Sequence, residues 1–166
     1  KMRASTLQGR ALLSYTAPNY FGRPNWSLQL AASYDKTRDV LTFTSMRSEG
    51  SAQITDRITP LTSLLYRYAY LHVLASDLQV EQQKIPLFSQ PTEVAFFSVA
   101  WIRDSRDSPA DPTRGTFNSA TLDYASRSFG SSASFLRGTL QNSTYTHLGR
   151  QLVFARSTRL AIEHPL

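Results

Sequence analysis

The chain has 166 residues, within the size of one domain, and carries 18 Lys and Arg against 12 Asp and Glu, a net charge of +6. It has no cysteine, which excludes disulfides and thiolate metal sites. No segment approaches the roughly 20 apolar residues of a transmembrane helix, but a transmembrane strand needs only about 9–11 residues with alternate positions apolar. The basic residues are scattered with no run of adjacent Lys or Arg, so nucleic acid is not an expected partner. Lys1-Met2-Arg3 has no apolar region after it and does not read as a signal peptide. The chain is therefore either cytosolic or an internal piece of a longer precursor.

Taken in order, the sequence alternates between period-two runs and breaks. The first strand is predicted over about Leu7 to Tyr15, and 18–25, rich in Pro, Asn and Gly, is a turn. Trp26 to Tyr34 is the cleanest strand. Trp26, Leu28, Leu30, Ala32 and Tyr34 fall on one face, aromatic at both ends, and Ser27, Gln29, Ala31 and Ser33 on the other. Trp26, Leu28, Leu30 and Tyr34 are the candidate lipid-facing residues. The same face would also suit a soluble sheet packed on a core. Residues 35–39 read as a polar loop. Val40 to Ile58 reads as a long strand with a bulge near Ser45 to Ser48, where the parity of the apolar positions changes. Its Arg47, Glu49, Ser51 and Gln53 make a polar face that belongs against water.

A turn at 59–61 leads to a strand over Ser63 to Leu74 with a tyrosine stripe at 66, 68 and 70. Such a stripe could stack single-stranded bases, but dispersed charge favours packing or a lipid-interface belt. Residues 75–92 form a long loop. Strands follow over Glu93 to Ile102, Thr116 to Ser126, Ala133 to Tyr145 and Gln151 to Glu163, separated by breaks at 104–115, 127–132 and 146–150. No helix is expected. The fold class is all-β: an antiparallel up-and-down meander of about eight strands, with the two-sided regularity of a transmembrane β-barrel. Eight strands could close into a small barrel; the family resemblance given below implies instead an open or strongly curved sheet, part of a larger transmembrane β-barrel.

The break after Trp101 is unusually specific. Asp104, Asp107 and Asp111 can accept bonds from nearby amides, Pro109 and Pro112 fix φ, and Gly115 can take φ > 0 where the next strand departs. Arg103, Arg106 and Arg114 are close enough to pair with those carboxylates. Seven charges interrupt strands: Arg47, Glu49, Arg67, Asp123, Arg137, Arg156 and Arg159. An arginine facing lipid at mid-depth costs about 2–4 kcal/mol, so all seven are expected to line a wet lumen. Catalytic signals are poor. His72, His147 and His164 are isolated, and no nucleophile elbow or phosphate loop is present. No enzyme activity, metal or cofactor is expected.

Arg103-Asp104-Ser105-Arg106-Asp107-Ser108-Pro109, followed by Asp111-Pro112-Thr113-Arg114-Gly115, resembles the turn between central strands of the BamA/TamA-type outer-membrane assembly barrels, the bacterial surface antigen family. Leu13-Ser14-Tyr15 with Pro18-Asn19-Tyr20-Phe21-Gly22, Arg47-Ser48-Glu49-Gly50-Ser51, Gln141-Asn142-Ser143-Thr144-Tyr145 and Ala155-Arg156-Ser157-Thr158-Arg159 resemble further family segments, in the right order over nearly the whole chain. The resemblance implies one partial barrel domain over 1–166, the central block of a barrel of roughly sixteen strands. The first strands, the closing strand, the periplasmic domains and the family's Arg-Gly loop motif would lie outside it. It implies a bacterial outer-membrane location, with the turns at 18–25, 59–61, 104–115 and 146–150 periplasmic and the loops at 35–39, 75–92 and 127–132 outside. The implied partners are outer-membrane lipid, unfolded outer-membrane protein clients and accessory assembly subunits, and the implied function is insertion and assembly of other barrels. A two-partner-type secretion pore, an outer-membrane enzyme and a soluble β-sheet binding module are the competing readings.

Overall fold

The period-two runs become strands, and each pairs with the next one along the chain. The computed structural model describes residues 2–4, 8–38, 44–76, 92–149 and 152–166. Its strands are β1 (Met2–Ala4), β2 (Gln8–Pro18), β3 (Trp26–Arg38), β4 (Thr44–Thr59), β5 (Thr62–Ser76), β6 (Thr92–Asp104), β7 (Gly115–Ala125), β8 (Phe135–Leu148) and β9 (Leu152–Pro165). They form one antiparallel sheet in strict sequence order, β1 to β9, and the sheet does not close within this chain. Single 3-10 turns at Tyr20–Gly22 and Arg127–Phe129 are the only helical elements among the described residues.

Among the described residues the expected meander is present, with the short β1 added at its edge, where Met2–Ala4 pairs with Gly9–Ala11. The break expected at 35–39 is strand through Arg38: Asp35 pairs with Arg47 and Thr37 with Ser45. Polar side chains there do not interrupt a ladder, since no Pro removes a donor. The bulge expected near Ser45 to Ser48 is absent, and register runs unbroken from Thr44 to Asp56. The irregularity lies instead between Arg57 and Thr59, at the entry to the turn. The parity change was read from Leu41 and Phe43, which lie outside the described residues, as do 39–43 and 77–91 of the expected loops.

Register sorts the side chains into two faces. One row across the sheet runs Leu30, Ala52, Tyr68, Phe97, Tyr124, Leu136; its neighbour runs Leu28, Ile54, Tyr66, Val99, Leu122, Gly138, Ile162. The row between them, on the opposite face, runs Gln29, Gln53, Arg67, Ser98, Asp123, Arg137, Glu163. Among the described residues there is no second layer. Among the described residues the buried apolar ones are Ala69, Ala95 and Ala125, and no large side chain is fully buried. Exposed on the apolar face are Tyr15, Leu30, Tyr34, Tyr66, Tyr68, Phe97, Trp101, Leu122, Leu140, Leu160 and Ile162. A continuous apolar face on that scale far exceeds the few hundred Å² a soluble monomer tolerates. Among the described residues no helix is long and apolar enough to cross a membrane; strands of this pattern can.

Candidate functional site

The hairpin between β6 and β7 is built as a clamp. Backbone pairing continues past the strand ends, from Ser105 N to Thr116 O at 2.8 Å and from Asp107 N to Arg114 O at 3.1 Å. The Ser105 hydroxyl accepts from Thr116 N at 3.1 Å. Asp104 takes a bidentate bond from Arg106, 2.8 Å from Nε and 2.7 Å from Nη2. The guanidinium then lies over the Phe117 ring at 4.9 Å, which fixes its plane. Asp107 accepts from the amides of Ser108 (3.0 Å), Thr113 (2.9 Å) and Arg114 (3.1 Å) and from the Thr113 hydroxyl (2.5 Å).

Those donors favour the ionised form, so the Asp107 carboxyl is held well below the usual carboxylate range, the Thr113 hydroxyl first among the causes. Gly115 has φ +102°, and a Cβ there would collide with the Ser105 carbonyl and approach Arg106 Cα to 2.9 Å. No other residue fits that position. Asp104 N also donates to Leu61 O at 2.8 Å, tying this turn to the neighbouring one.

Of the residues expected in this turn, Asp104, Arg106, Asp107 and Gly115 form the clamp, and Arg106 Nη1 also donates to the Pro109 carbonyl at 3.4 Å. Pro112 precedes Thr113, whose amide and hydroxyl both reach Asp107. Asp111 contributes its amide, which donates to Ser108 Oγ at 3.2 Å, while its carboxylate accepts no hydrogen bond among the described residues. Arg103 and Arg114 form no ion pair among the described residues. Arg103 points to the apolar face, in the row Thr62, Arg103, Asn118.

The polar face carries a cross-strand ladder of charge. Arg67 Nη2 donates to Glu49 at 2.7 Å, and Arg47 reaches the same carboxylate at 3.3 Å. Arg137 donates to Asp123 from Nε at 3.0 Å and Nη2 at 2.9 Å, and lies 3.9 Å from Glu163. Asp123 is only 6% exposed, so its charge depends on Arg137. Arg159 shares this face opposite Gln141. Arg156 does not. It pairs with Thr144, three residues from Arg159, and a period of two puts the two arginines on opposite faces.

Sequence reasoning missed Glu163, although its parity matches that of Arg159. It also missed the Glu93 carboxylate 3.4 Å from His72 Nδ1 and the amide pair Asn142 to Asn118 at 2.6 Å. Cross-strand pairing, which one strand's sequence cannot display, creates both contacts.

Trp26, Leu28, Leu30 and Tyr34 share the apolar face of β3, with Arg23 over the Trp26 ring at 4.8 Å. Nearer the opposite end, the segment after β7 folds back onto that face. Tyr68 Oη donates to the Phe129 carbonyl at 3.1 Å, and the Phe129 ring meets Tyr124 edge-on at 5.9 Å. Among the described residues no group of three His, Asp or Glu converges to hold a metal.

A single-layer meander with one apolar face, one charge-laddered face and tight turns is the wall of a transmembrane β-barrel. The sequence matches the model of the Omp85 superfamily domain over residues 1–166, and the chain belongs to that superfamily, as part of an outer-membrane β-barrel. Among solved structures, the crystal structure of BamA from Haemophilus ducreyi lacking POTRA domains 1-3 superposes with a TM-score of 0.74 at 18% identity, over 97% of this chain. The match takes in 34% of that chain, so this sequence spans about a third of that structure. None of the curated proteins matches.

Proposed function

We propose that this chain is the central wall of an outer-membrane barrel that inserts and folds other barrel proteins. The observation that carries the reading is the Omp85 match over the entire chain, on a sheet whose mid-strand rows Leu28, Ile54, Tyr66, Val99, Leu122 and Leu30, Ala52, Tyr68, Phe97, Tyr124 are apolar on one face from β3 to β7. In this reading the turns at 18–25, 59–61, 104–115 and 146–150 face the periplasm and the other connections face outward. Arg47, Glu49, Arg67, Asp123, Arg137 and Arg159 line the lumen. The block's role is mechanical. It holds the wall rigid while client strands are templated at an edge elsewhere in the barrel, by strand addition rather than by bond-making chemistry. Unfolded outer-membrane proteins are the clients, and accessory subunits would act on parts of the barrel beyond this block.

The test is reconstitution of the full-length protein in liposomes with an urea-unfolded barrel client. Accumulation of protease-resistant, heat-modifiable client above protein-free liposomes supports assembly. Release of an unfolded passenger across the bilayer, without folded client, would replace it with a secretion pore.

A further inference from the structure

The outward, apolar face is not apolar throughout. On the inner-turn half of β6 to β9 it carries the row Arg103, Asn118, Asn142, Thr158, with Thr144 and Arg156 paired in the row beyond. Asn142 Nδ2 donates to Asn118 Oδ1 at 2.6 Å, and Asn118 Nδ2 to Thr116 Oγ1 at 3.4 Å, so the amides satisfy one another. The arginines are exposed and make no ion pair among the described residues, unlike Arg47, Arg67, Arg106 and Arg137. Beside this shelf a groove of about 250 Å³ lies between Trp101, Leu140 and Leu160 on its apolar side and Asn118, Asn142 and Thr158 on its polar side.

An outward arginine against hydrocarbon costs about 2–4 kcal/mol at mid-depth, so these two need water or an anion at their level. Arg103 immediately precedes the inner turn, and Arg156 is the fifth residue of β9. Four residues of a tilted strand rise about 10 Å, and a long arginine side chain can snorkel back toward the interface. Three strand spacings, about 14 Å, separate the two strands, enough for each guanidinium to take its own phosphate.

The structure assigns this patch as a seat for anionic phospholipid of the inner leaflet. Phosphodiester headgroups meet Arg103 and Arg156, and an acyl chain lies in the groove against Trp101, Leu140 and Leu160. The assignment rests on the barrel orientation proposed above.

The test uses the full-length protein in nanodiscs of mixed phosphatidylethanolamine and phosphatidylglycerol, with retained lipid counted by native mass spectrometry. Arg103→Gln and Arg156→Gln should each weaken phosphatidylglycerol retention about 5-fold, the double variant should lose the preference, and Arg→Lys variants should keep most of it. Arg127→Gln, on the other side of the membrane, should retain as much as wild type. Heat-modifiable migration on gels checks that each variant is folded. An unchanged preference in the folded double variant would overturn the assignment, as would retention of added lipopolysaccharide in place of phosphatidylglycerol. A protein that never enters the nanodisc would sink the barrel reading itself, and this seat with it.

Discussion

Replacing Gly115 by alanine tests whether the β6–β7 clamp is a structural requirement or a decorated turn. At φ +102° an L-residue is strained by about 1–3 kcal/mol. The new Cβ would also face the Ser105 carbonyl carbon at 2.8 Å and Arg106 Cα at 2.9 Å, both backbone atoms that cannot rotate away. Relief requires opening the turn, which loses bonds such as Ser105 N to Thr116 O and Asp107 N to Arg114 O, each contributing about 0.5–1.5 kcal/mol. The expected destabilisation is therefore about 2–6 kcal/mol. Gly138 is the matched control: it sits mid-strand and a Cβ there meets nothing within 4 Å. Urea titration of the full-length protein in liposomes, followed by heat-modifiable migration, would read both. Gly138→Ala should shift little, within about 0.5 kcal/mol. If Gly115→Ala unfolds at the same urea concentration as Gly138→Ala, the clamp argument fails.

Arg137→Ala strands the nearly buried Asp123 carboxylate and should cost about 2 kcal/mol, less than a fully buried pair because Arg137 still reaches water; restoring stability with Asp123→Asn in that background would confirm the coupling by urea titration. Asp107 has a depressed carboxyl pKa, so the stability it gives is present above the unfolded value of about 4 and is lost as pH falls below it. The gap in urea midpoint between wild type and Asp107→Asn should accordingly narrow from pH 6 to pH 3, and a gap independent of pH would refute the linkage. Leu30→Arg should destabilise by about 2–4 kcal/mol while Gln29→Arg is tolerated, and cysteines at the two positions should label from lipid and from water respectively. Reversed labelling would exchange the two faces.

Period two made the faces of β3 and β5 readable from one strand at a time, which is why Trp26 to Tyr34 could be assigned without a partner. The turn after β6 was legible for a different reason. Its Asp, Pro and Gly residues act locally, through bonds such as those Asp107 makes to residues one, six and seven positions on. Charge grouping by type failed for Arg156, because only parity and register decide a face, and parity alone would have separated it from Arg159. The extent of β3 was underestimated because Asp35 and Thr37 gain partners, Arg47 and Ser45, that sequence reading of residues 35–39 did not consider. The return of Phe129 onto Tyr124 and Tyr68 has no local signal, since it joins residues up to 61 positions apart.

The two kinds of legible signal constrain the same quantity. A sheet without a second layer has no packed core to fix its register, and a slip of one residue moves every side chain to the other face. For β5 such a slip would carry Arg67 to the lipid side, and for β8 it would carry Arg137, at about 2–4 kcal/mol each. It would also leave Glu49 and Asp123 without their partners. The β6–β7 hairpin has no outward-facing penalty of that size on β6 itself, whose polar-face residues from Val94 to Ile102 are Val94, Phe96, Ser98, Ala100 and Ile102. Facing patterns alone would hold β6 weakly. The clamp of Asp104, Arg106, Asp107 and Gly115 sits at the end of that strand, where a turn of fixed geometry must set the register that side-chain polarity does not.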